Sequence, residues 1–367
     1  MTETSLKILF HTWSLGGGGA ERVFAVLASG LAARGHDVII STESEDDHNE
    51  QYVSRAVRRC PPTGGSLRTL KQLTGLIARE RPDISISAIS ACNLRHAIAA
   101  TMAGRRHRAI MSYHGHSVAE AELSNKIGYW ATPITTRLVA RTVAVSDGLR
   151  RHIVETWHGS PSKTVRIYNP ALVGHQESAA LSEADLLARP PIVVSVGSLL
   201  PRKNFSGLIR AFAQVTTPGA RLVIVGEGPM RGELEAEARR LGLAERVSLP
   251  GYMTQPWEAY AGARAFAFAS REESFGLVIV EAMAQGLPVV VTPSDGPEEI
   301  LENGRFGTLV AHDDATAMAT AIDRALLEPG DPAPRLQRAA AFDVTTGLDA
   351  YEALFREVAA EAERRGR

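Results

Sequence analysis

The sequence predicts an α/β fold of two Rossmann-like domains, each a parallel sheet covered by helices on both faces. Three observations lead there. At 367 residues the chain exceeds what one hydrophobic core usually serves. Apolar runs of strand length recur along it, separated by segments of helical period. A polar, alanine-rich stretch at 181–191, ending in Pro190 and Pro191, reads as a linker and divides the alternation into two series. Such alternation implies parallel strands joined by helical crossovers, and two series predict two domains with a cleft between them.

In the first series, strands are expected at 6–10, 37–41, 83–88, 108–113, 142–145 and 165–168. Between the first two lies AERVFAVLASGLAARG, a helical pattern over 20–35 that ends in Gly35, a common helix stop. Asn169 and Pro170 end the last of these strands and begin the crossing between domains. The second series resumes at 192–196, 221–225, 247–249, 265–269 and 289–292. A helix is expected from about Gly276 to Gln285, stopped by Gly286. The final segment, 347–365, reads as one long helix with Leu348, Tyr351, Leu354, Phe355 and Val358 on a single face. The boundaries that follow are 1–175 for the first domain, 176–345 for the second, and 346–367 for a helix packing across the two.

Composition excludes several classes. No apolar run reaches membrane-spanning length, and the N-terminus passes from polar residues into a short strand with no signal or lipidation motif. Cys60 and Cys92 stand alone, without a CxxC pair, so reduced thiols in a cytoplasmic protein are expected. The net charge of −1 hides an asymmetry: residues 1–170 hold 21 Lys and Arg against 14 Asp and Glu, and the rest reverses the balance. A basic first half suits an anionic partner, either a phospholipid surface or an acceptor bearing phosphate; arginine-rich codon usage explains it equally well. Leu67, Leu70, Leu73 and Leu76 with Arg68, Lys71 and Arg79 form an amphipathic pattern. It fits a helix resting on the inner face of a membrane, or a core helix with solvated arginines. Nucleic acid is not expected as a partner.

Four stretches carry chemistry. SREESFGLVIVEAMAQGLPVV places Glu273 in a loop after the run RAFAFA, and Glu281 inside the helix that follows. The amides of Gly276, Leu277 and Val278 at that helix start lack intrahelical acceptors and suit an anion. Glu273 is then within reach of a polyol, and Glu281 of a ribose diol. VGSLLPRKNFSGLI follows the first strand of the second series, where Lys203 offers a compact ammonium to a departing diphosphate, with Arg202 beside it. LGGGGAER opens the first helix with four glycines, which lets backbone approach a phosphate or sugar; Glu21 and Arg22 then face an acceptor or solvent. The dinucleotide fingerprint fails there, because Glu21 stands where the third glycine belongs. LVIVGEGPMRG forms a further glycine turn, read either as lying beside a nucleotide base or as structural. Tyr113, His114, Gly115 and His116 end a strand in the first domain, where a cleft residue would sit. HxxxH, HExxH and Asp-x-Asp are all missing, so no metal and no other cofactor is expected.

Together these residues resemble the retaining glycosyltransferases of family 4 (glycosyl transferases group 1), which have the GT-B fold. The match spans nearly the whole chain. GGAER, VGSLLPRKN, LVIVGEGP, the Glu-x7-Glu segment from Glu273 to Glu281 and GPEEILENGRFGTLV fall in the family's order. The resemblance implies an acceptor-binding first domain and a nucleotide-sugar-binding second domain. It implies Lys203, Glu273 and His114 as the catalytic residues. Gly17, Gly18, Ser198, Arg202, Ser274, Phe275, Gly276, Leu277, Val278 and Glu281 would complete the donor site, with Gly19, Glu21 and Arg22 on the acceptor side. The reaction implied is metal-independent transfer of a hexose or N-acetylhexosamine, most simply from a UDP-sugar, to a glycan or lipid-linked acceptor in polysaccharide or glycolipid synthesis. One departure matters: many members carry arginine immediately after Val-Gly, where this chain has Ser198. A noncatalytic nucleotide-sugar-binding relative and an NAD-linked dehydrogenase are the alternatives.

Overall fold

The computed structural model describes residues 4–46, 48–60, 66–115, 123–173, 181–254 and 256–366. The chain divides into two compact units, residues 1–170 with 344–367, and residues 171–343.

Among the described residues, unit 1 holds seven parallel strands: β1 (Lys7–Thr12), β2 (Asp37–Thr42), β3 (Arg58–Cys60), β4 (Ile84–Ala88), β5 (Ala109–Tyr113), β6 (Arg141–Ala144) and β7 (Thr164–Arg166). They lie in the order β3-β2-β1-β4-β5-β6-β7. The central strands β4 and β5 are buried along their whole length, which is why their sequences read as continuous runs rather than alternating ones. The helices are α1 (Gly19–Ala33), α2 (Ser66–Glu80), α3 (Ser90–Met102), α4 (Leu123–Trp130), α5 (Thr132–Leu138) and α6 (Asp147–Arg151). On α2, Leu73 and Leu76 are buried and Leu70 is half-buried, while Leu67, Arg68, Lys71 and Arg79 are exposed. Half of its apolar face is therefore spent in the core, which favours the reading of α2 as a core helix with a solvated basic side.

Among the described residues, unit 2 holds six parallel strands in the order β10-β9-β8-β11-β12-β13. These are β8 (Ile192–Val196), β9 (Arg221–Val225), β10 (Val247–Gly251), β11 (Ala265–Phe268), β12 (Val289–Val291) and β13 (Thr308–Leu309). The stretch expected to be a linker instead contains helix α7 (Glu183–Ala188), started by a reciprocal capping box between Ser182 and Asp185 and anchored by fully buried Leu186. Helices α8 (Phe205–Phe212), α9 (Arg231–Arg240), α10 (Trp257–Ala261), α11 (Leu277–Ala284), α12 (Asp295–Ile300), α13 (Ala315–Leu327) and α14 (Ala333–Ala340) complete this unit.

The last helix, α15 (Val344–Gly366), returns to unit 1. Tyr351, Phe355 and Val358 are fully buried, and Phe355 meets Phe10 of β1 edge to face at 6.4 Å. Side chains of that size are worth about 2–3 kcal/mol each when fully buried. Gly30 of α1 leaves room for the approach: a Cβ there would lie 2.5 Å from Leu348. Glu352 takes a hydrogen bond from Arg34 at 2.8 Å and another from Arg356. Burial raises the Glu352 carboxyl, but these donors outweigh it and hold it at about 2.

Candidate active site

In each sheet the chain starts in the middle and proceeds first to one side, then to the other. The switch falls between β1 and β4 in unit 1 and between β8 and β11 in unit 2. Loops at the carboxyl ends of strands flanking such a switch diverge and leave a crevice suited to ligands. The glycine loop after β1, Ser198, Arg202 and Lys203 after β8, and Glu273 to Gly276 after β11 fall on these loops, whereas Glu281 lies within α11 and His114 follows β5.

After β8 comes the stretch Gly197–Leu200, then a 3-10 turn Pro201–Lys203, ended by Asn204 in the left-handed region at φ 50°. After β11 comes the loop with Glu273, which ends at Gly276, φ 102°, the N-cap of α11. The two loops are tied together. The Arg202 carbonyl accepts from the Arg271 amide at 2.8 Å and from the Ser270 hydroxyl at 3.2 Å. That tie brings the Lys203 ammonium onto the Glu273 carboxylate, and the ammonium also lies 5.2 Å from the Phe268 ring centroid. Ion and counter-ion are mostly shielded, with side chains 12% and 16% exposed, so their attraction is stronger than that of a surface pair. Below them α12 abuts the same loop. The Gly296 amide donates to the Glu273 carbonyl at 3.0 Å, and any Cβ at Gly296 would overlap the Phe275 backbone.

Along α11, Leu277 and Val278 occupy the first turn, where helix amides have no intrahelical acceptor. Ser274, Phe275, Gly276 and Leu277 are buried and Val278 is half-buried. Glu281 is buried, and the Tyr260 hydroxyl donates to its Oε2 at 2.8 Å. Sequence reasoning missed Tyr260, which lies on α10 with nothing local to link it to a carboxylate 21 positions on. Ser198 is exposed, and Arg202 is half-buried.

The second glycine turn has a structural job in this unit. Gly226, φ 150°, lies where a Cβ would strike the Gly197 carbonyl, and a Cβ on Gly228 would lie 2.6 Å from the Leu199 carbonyl. The Leu199 amide donates to the Glu227 carbonyl at 2.8 Å, and the Met230 amide to the Leu199 carbonyl at 3.1 Å. The turn is thus a backbone mould for the loop that carries Ser198 and Lys203.

In unit 1 the glycine loop after β1 is held by the segment that follows β2. The Leu15 amide donates to the Asp46 carbonyl at 2.9 Å, the Asn49 amide to the Leu15 carbonyl at 2.7 Å, and the Asn49 side-chain amide to the Gly16 carbonyl. Buried Asn49 is another residue that sequence reasoning missed. Gly17 and Gly19 are exposed, while Gly18 and Arg22 are half-buried. Glu21 folds back over Gly18, occupying the space a Cβ would need, and burial raises its carboxyl above the usual range.

His114, just past β5, accepts or donates at Nε2 to the Ser112 hydroxyl at 2.9 Å, and its ring packs on Phe24 at 5.9 Å. Its buried Nδ1 has no hydrogen-bond partner among the described residues. Burial pushes the imidazole down to about 4, so it is neutral at physiological pH. Behind it, Asn93 donates to the Ser112 carbonyl and accepts from the Ser87 hydroxyl, which also contacts His96. His116 lies outside the described residues.

Among the described residues, His11, Glu43 and Cys92 bring metal-type donor atoms within 4.8 Å of one another. Arg95 already grips both Glu43 oxygens, at 2.8 and 2.7 Å, and a guanidinium there opposes a divalent ion. Burial raises the Cys92 thiol well above its ordinary value, which keeps it protonated.

Comparisons with known proteins fit this geometry. Residues 17–173 match the family model described as Glycosyltransferase Family 4, and residues 181–341 that of Glycosyl transferases group 1. The lipopolysaccharide core biosynthesis glycosyltransferase LpsE of Rhizobium meliloti is 36% identical over 143 residues, covering 39% of this chain and 42% of that protein. The N-acetylgalactosamine-N,N'-diacetylbacillosaminyl-diphospho-undecaprenol 4-alpha-N-acetylgalactosaminyltransferase of Campylobacter jejuni is 35% identical over 174 residues, covering 47% of each chain. The chain thus spans less than half the length of these two relatives. Among solved structures, Anabaena Alr3699/HepE in complex with UDP and glucose superposes with a TM-score of 0.76 at 25% identity, covering 96% of this chain and 100% of that one.

Proposed function

Because the chain belongs to the family 4 glycosyltransferases of GT-B fold, we propose that it is a retaining, metal-independent hexosyl- or N-acetylhexosaminyltransferase. Its donor is a UDP-sugar and its acceptor a glycan or lipid-linked glycan in polysaccharide or glycolipid synthesis. The observation that carries this reading is the shielded Lys203–Glu273 pair at the sheet switch, beside the amides that open α11. UDP in the Anabaena structure and diphospho-undecaprenol in the name of the Campylobacter relative support the donor and acceptor classes. Among the described residues no helix is long and apolar enough to cross a membrane.

In this reading the diphosphate takes the Lys203 ammonium from Glu273, whose freed carboxylate then accepts from sugar hydroxyls. Glu281, held by Tyr260, accepts from the ribose diol. The bond between sugar C1 and the diphosphate oxygen breaks, and its electron pair leaves with that oxygen. The acceptor hydroxyl forms the new bond on the same face, and its proton passes to the departing oxygen. Lys203, Arg202 and the α11 amides offset the charge that grows there. The half-buried neutral His114 is assigned to the donor sugar, and the first glycine loop, with Glu21 and Arg22, to phosphate and acceptor.

The test is donor turnover by purified protein with UDP-sugars and EDTA present. Lys203→Ala and Glu273→Ala are expected to lose most of kcat, and Glu281→Ala chiefly to weaken donor binding. Near wild-type rates in all three, with folding intact, would falsify the assignment. Exposed Ser198 favours a second reading, a noncatalytic nucleotide-sugar binder, which any sustained transfer or hydrolysis excludes. A large gain in kcat for Ser198→Arg would identify the second cation as the missing element.

A further inference from the structure

We propose that Asn93 is the positioning residue for His114, closing a buried chain of polar side chains that fixes the end of β5. This rests on the transfer reading, which assigns His114 to the donor sugar, and adds to it a residue that lies out of substrate's reach. Ser85 and Ser87 on β4, Asn93 and His96 on α3, and Ser112 on β5 are all buried, none more than 1% exposed. Polar groups between a helix and two central strands are costly unless each donor meets an acceptor. Here one arrangement of protons satisfies the whole row.

The Ser112 carbonyl can only accept, so the side-chain nitrogen of Asn93 faces it, at 2.9 Å. The Asn93 side-chain oxygen then faces Ser87, whose hydroxyl donates to it at 2.7 Å. That spends the one proton of Ser87, and its oxygen accepts from His96 Nδ1 at 2.9 Å. Burial holds His96 at about 3, so the ring is neutral and its Nε2 carries no proton. The Ser85 hydroxyl donates to that nitrogen at 2.8 Å. Every bond therefore points the same way, from Ser85 to the Ser112 carbonyl, and neither the Asn93 amide nor the His96 ring can turn over without breaking two of them.

The chain ends two residues before His114, on the residue that holds it. Ser112 is gripped at its carbonyl by Asn93, and its hydroxyl meets His114 Nε2 at 2.9 Å. Placing Asn93 beside β5 also costs backbone strain. β4 ends at Ala88 and α3 begins at Ser90, so the chain turns on Ile89 alone, at φ 72°. A β-branched residue rarely adopts a left-handed φ, and such strain persists where the surrounding structure enforces it for a site. Two asparagines enforce it here. The Asn93 amide donates to the Ile89 carbonyl at 2.8 Å, and the Asn125 side chain accepts from the Ser90 hydroxyl at 2.9 Å and the Ala91 amide at 3.2 Å. Asn93 thus joins the strained turn after β4 to the strand end that carries His114.

The test combines nitrogen NMR of the histidine-labelled full chain with hydrolysis of UDP-glucose. The spectrum is expected to show His96 protonated at Nδ1, and Asn93→Ala to shift the ring signals of His114. The same variant should lower kcat for UDP-glucose about tenfold with an unchanged Kd for UDP, and have no further effect when His114 is already alanine. A residue that served stability alone would act equally in both backgrounds. Ser87→Ala breaks the chain one link earlier, is expected to act in the same direction, and takes over if Asn93→Ala does not fold. His96 protonated at Nε2, His114 signals unmoved in both variants, or a full effect of Asn93→Ala in His114→Ala protein overturns the proposal. If the wild-type chain hydrolyses no UDP-glucose, the transfer reading loses its donor, and the ring signals alone decide whether Asn93 positions His114.

Discussion

Glu281 is a carboxylate taken almost wholly out of water, and the Tyr260 hydroxyl is one of the groups that make this tolerable. Tyr260→Phe keeps the packing and removes the donor, which should cost about 1.5–3 kcal/mol of stability, the usual worth of a hydrogen bond to a charged group. A lower melting temperature with a raised donor Kd is expected, and an unchanged Kd would separate Glu281 from the donor. Acid stability is decided by single residues too. Burial holds His96 at about 3 and His114 at about 4, against about 6.5 in an unfolded chain. As pH falls below about 6.5 the unfolded chain binds protons that the folded chain refuses, so stability declines until the folded values are reached. Glu352, held at about 2, adds a further loss below the ordinary carboxylate range. Melting temperature followed against pH should show this decline, and His96→Gln should flatten its upper part. Lys203 and Glu273 were legible in sequence because each stands in a loop directly after an apolar strand. Tyr260 and Asn49 were not, since they act through partners that only the tertiary fold brings near.

At the scale of elements, the central strands and the edge strands β7 and β10 were readable, and the two edges β3 and β13 were not. β3 and β13 are three and two residues long and lie at the ends of their sheets. These two bury little, so they leave no apolar run to find: β3 is Arg58, Arg59 and Cys60, of which the arginines are exposed. The stretch containing α7 misled for a related reason, because its polar, alanine-rich composition suits a linker as well as a short surface helix anchored by a single leucine. The contact between α12 and the Glu273 loop is tight enough to test. Gly296→Ala forces its methyl into the Phe275 backbone, so the loop must move. The variant is expected to lose about 1–3 kcal/mol of stability and to weaken donor binding by separating Glu273 from Lys203. Chemical denaturation and donor titration would measure the two effects. Unaltered donor affinity would mean that α12 does not position the loop.

For the whole molecule, the division into two α/β units followed from chain length, alternation and the polar stretch between the two series, but the assignment of α15 to unit 1 rests on contacts far apart in sequence. Its buried face meets Phe10 and fills the gap left by Gly30. Phe355→Ala should cost about 3–5 kcal/mol, and hydrogen exchange should report the loss in unit 1 peptides while those of unit 2 keep their protection. Uniform loss across both units would show that they unfold as one. The same placement sets the order in which the protein is made. A ribosome delivers β1 through β7 first, then all of unit 2, and only afterwards the helix that fills the groove on β1 and α1. At ordinary rates of synthesis that interval lasts roughly ten to forty seconds. Throughout it the nascent first sheet lacks the helix that covers Phe10, so unit 1 completes its core only after unit 2 has been made.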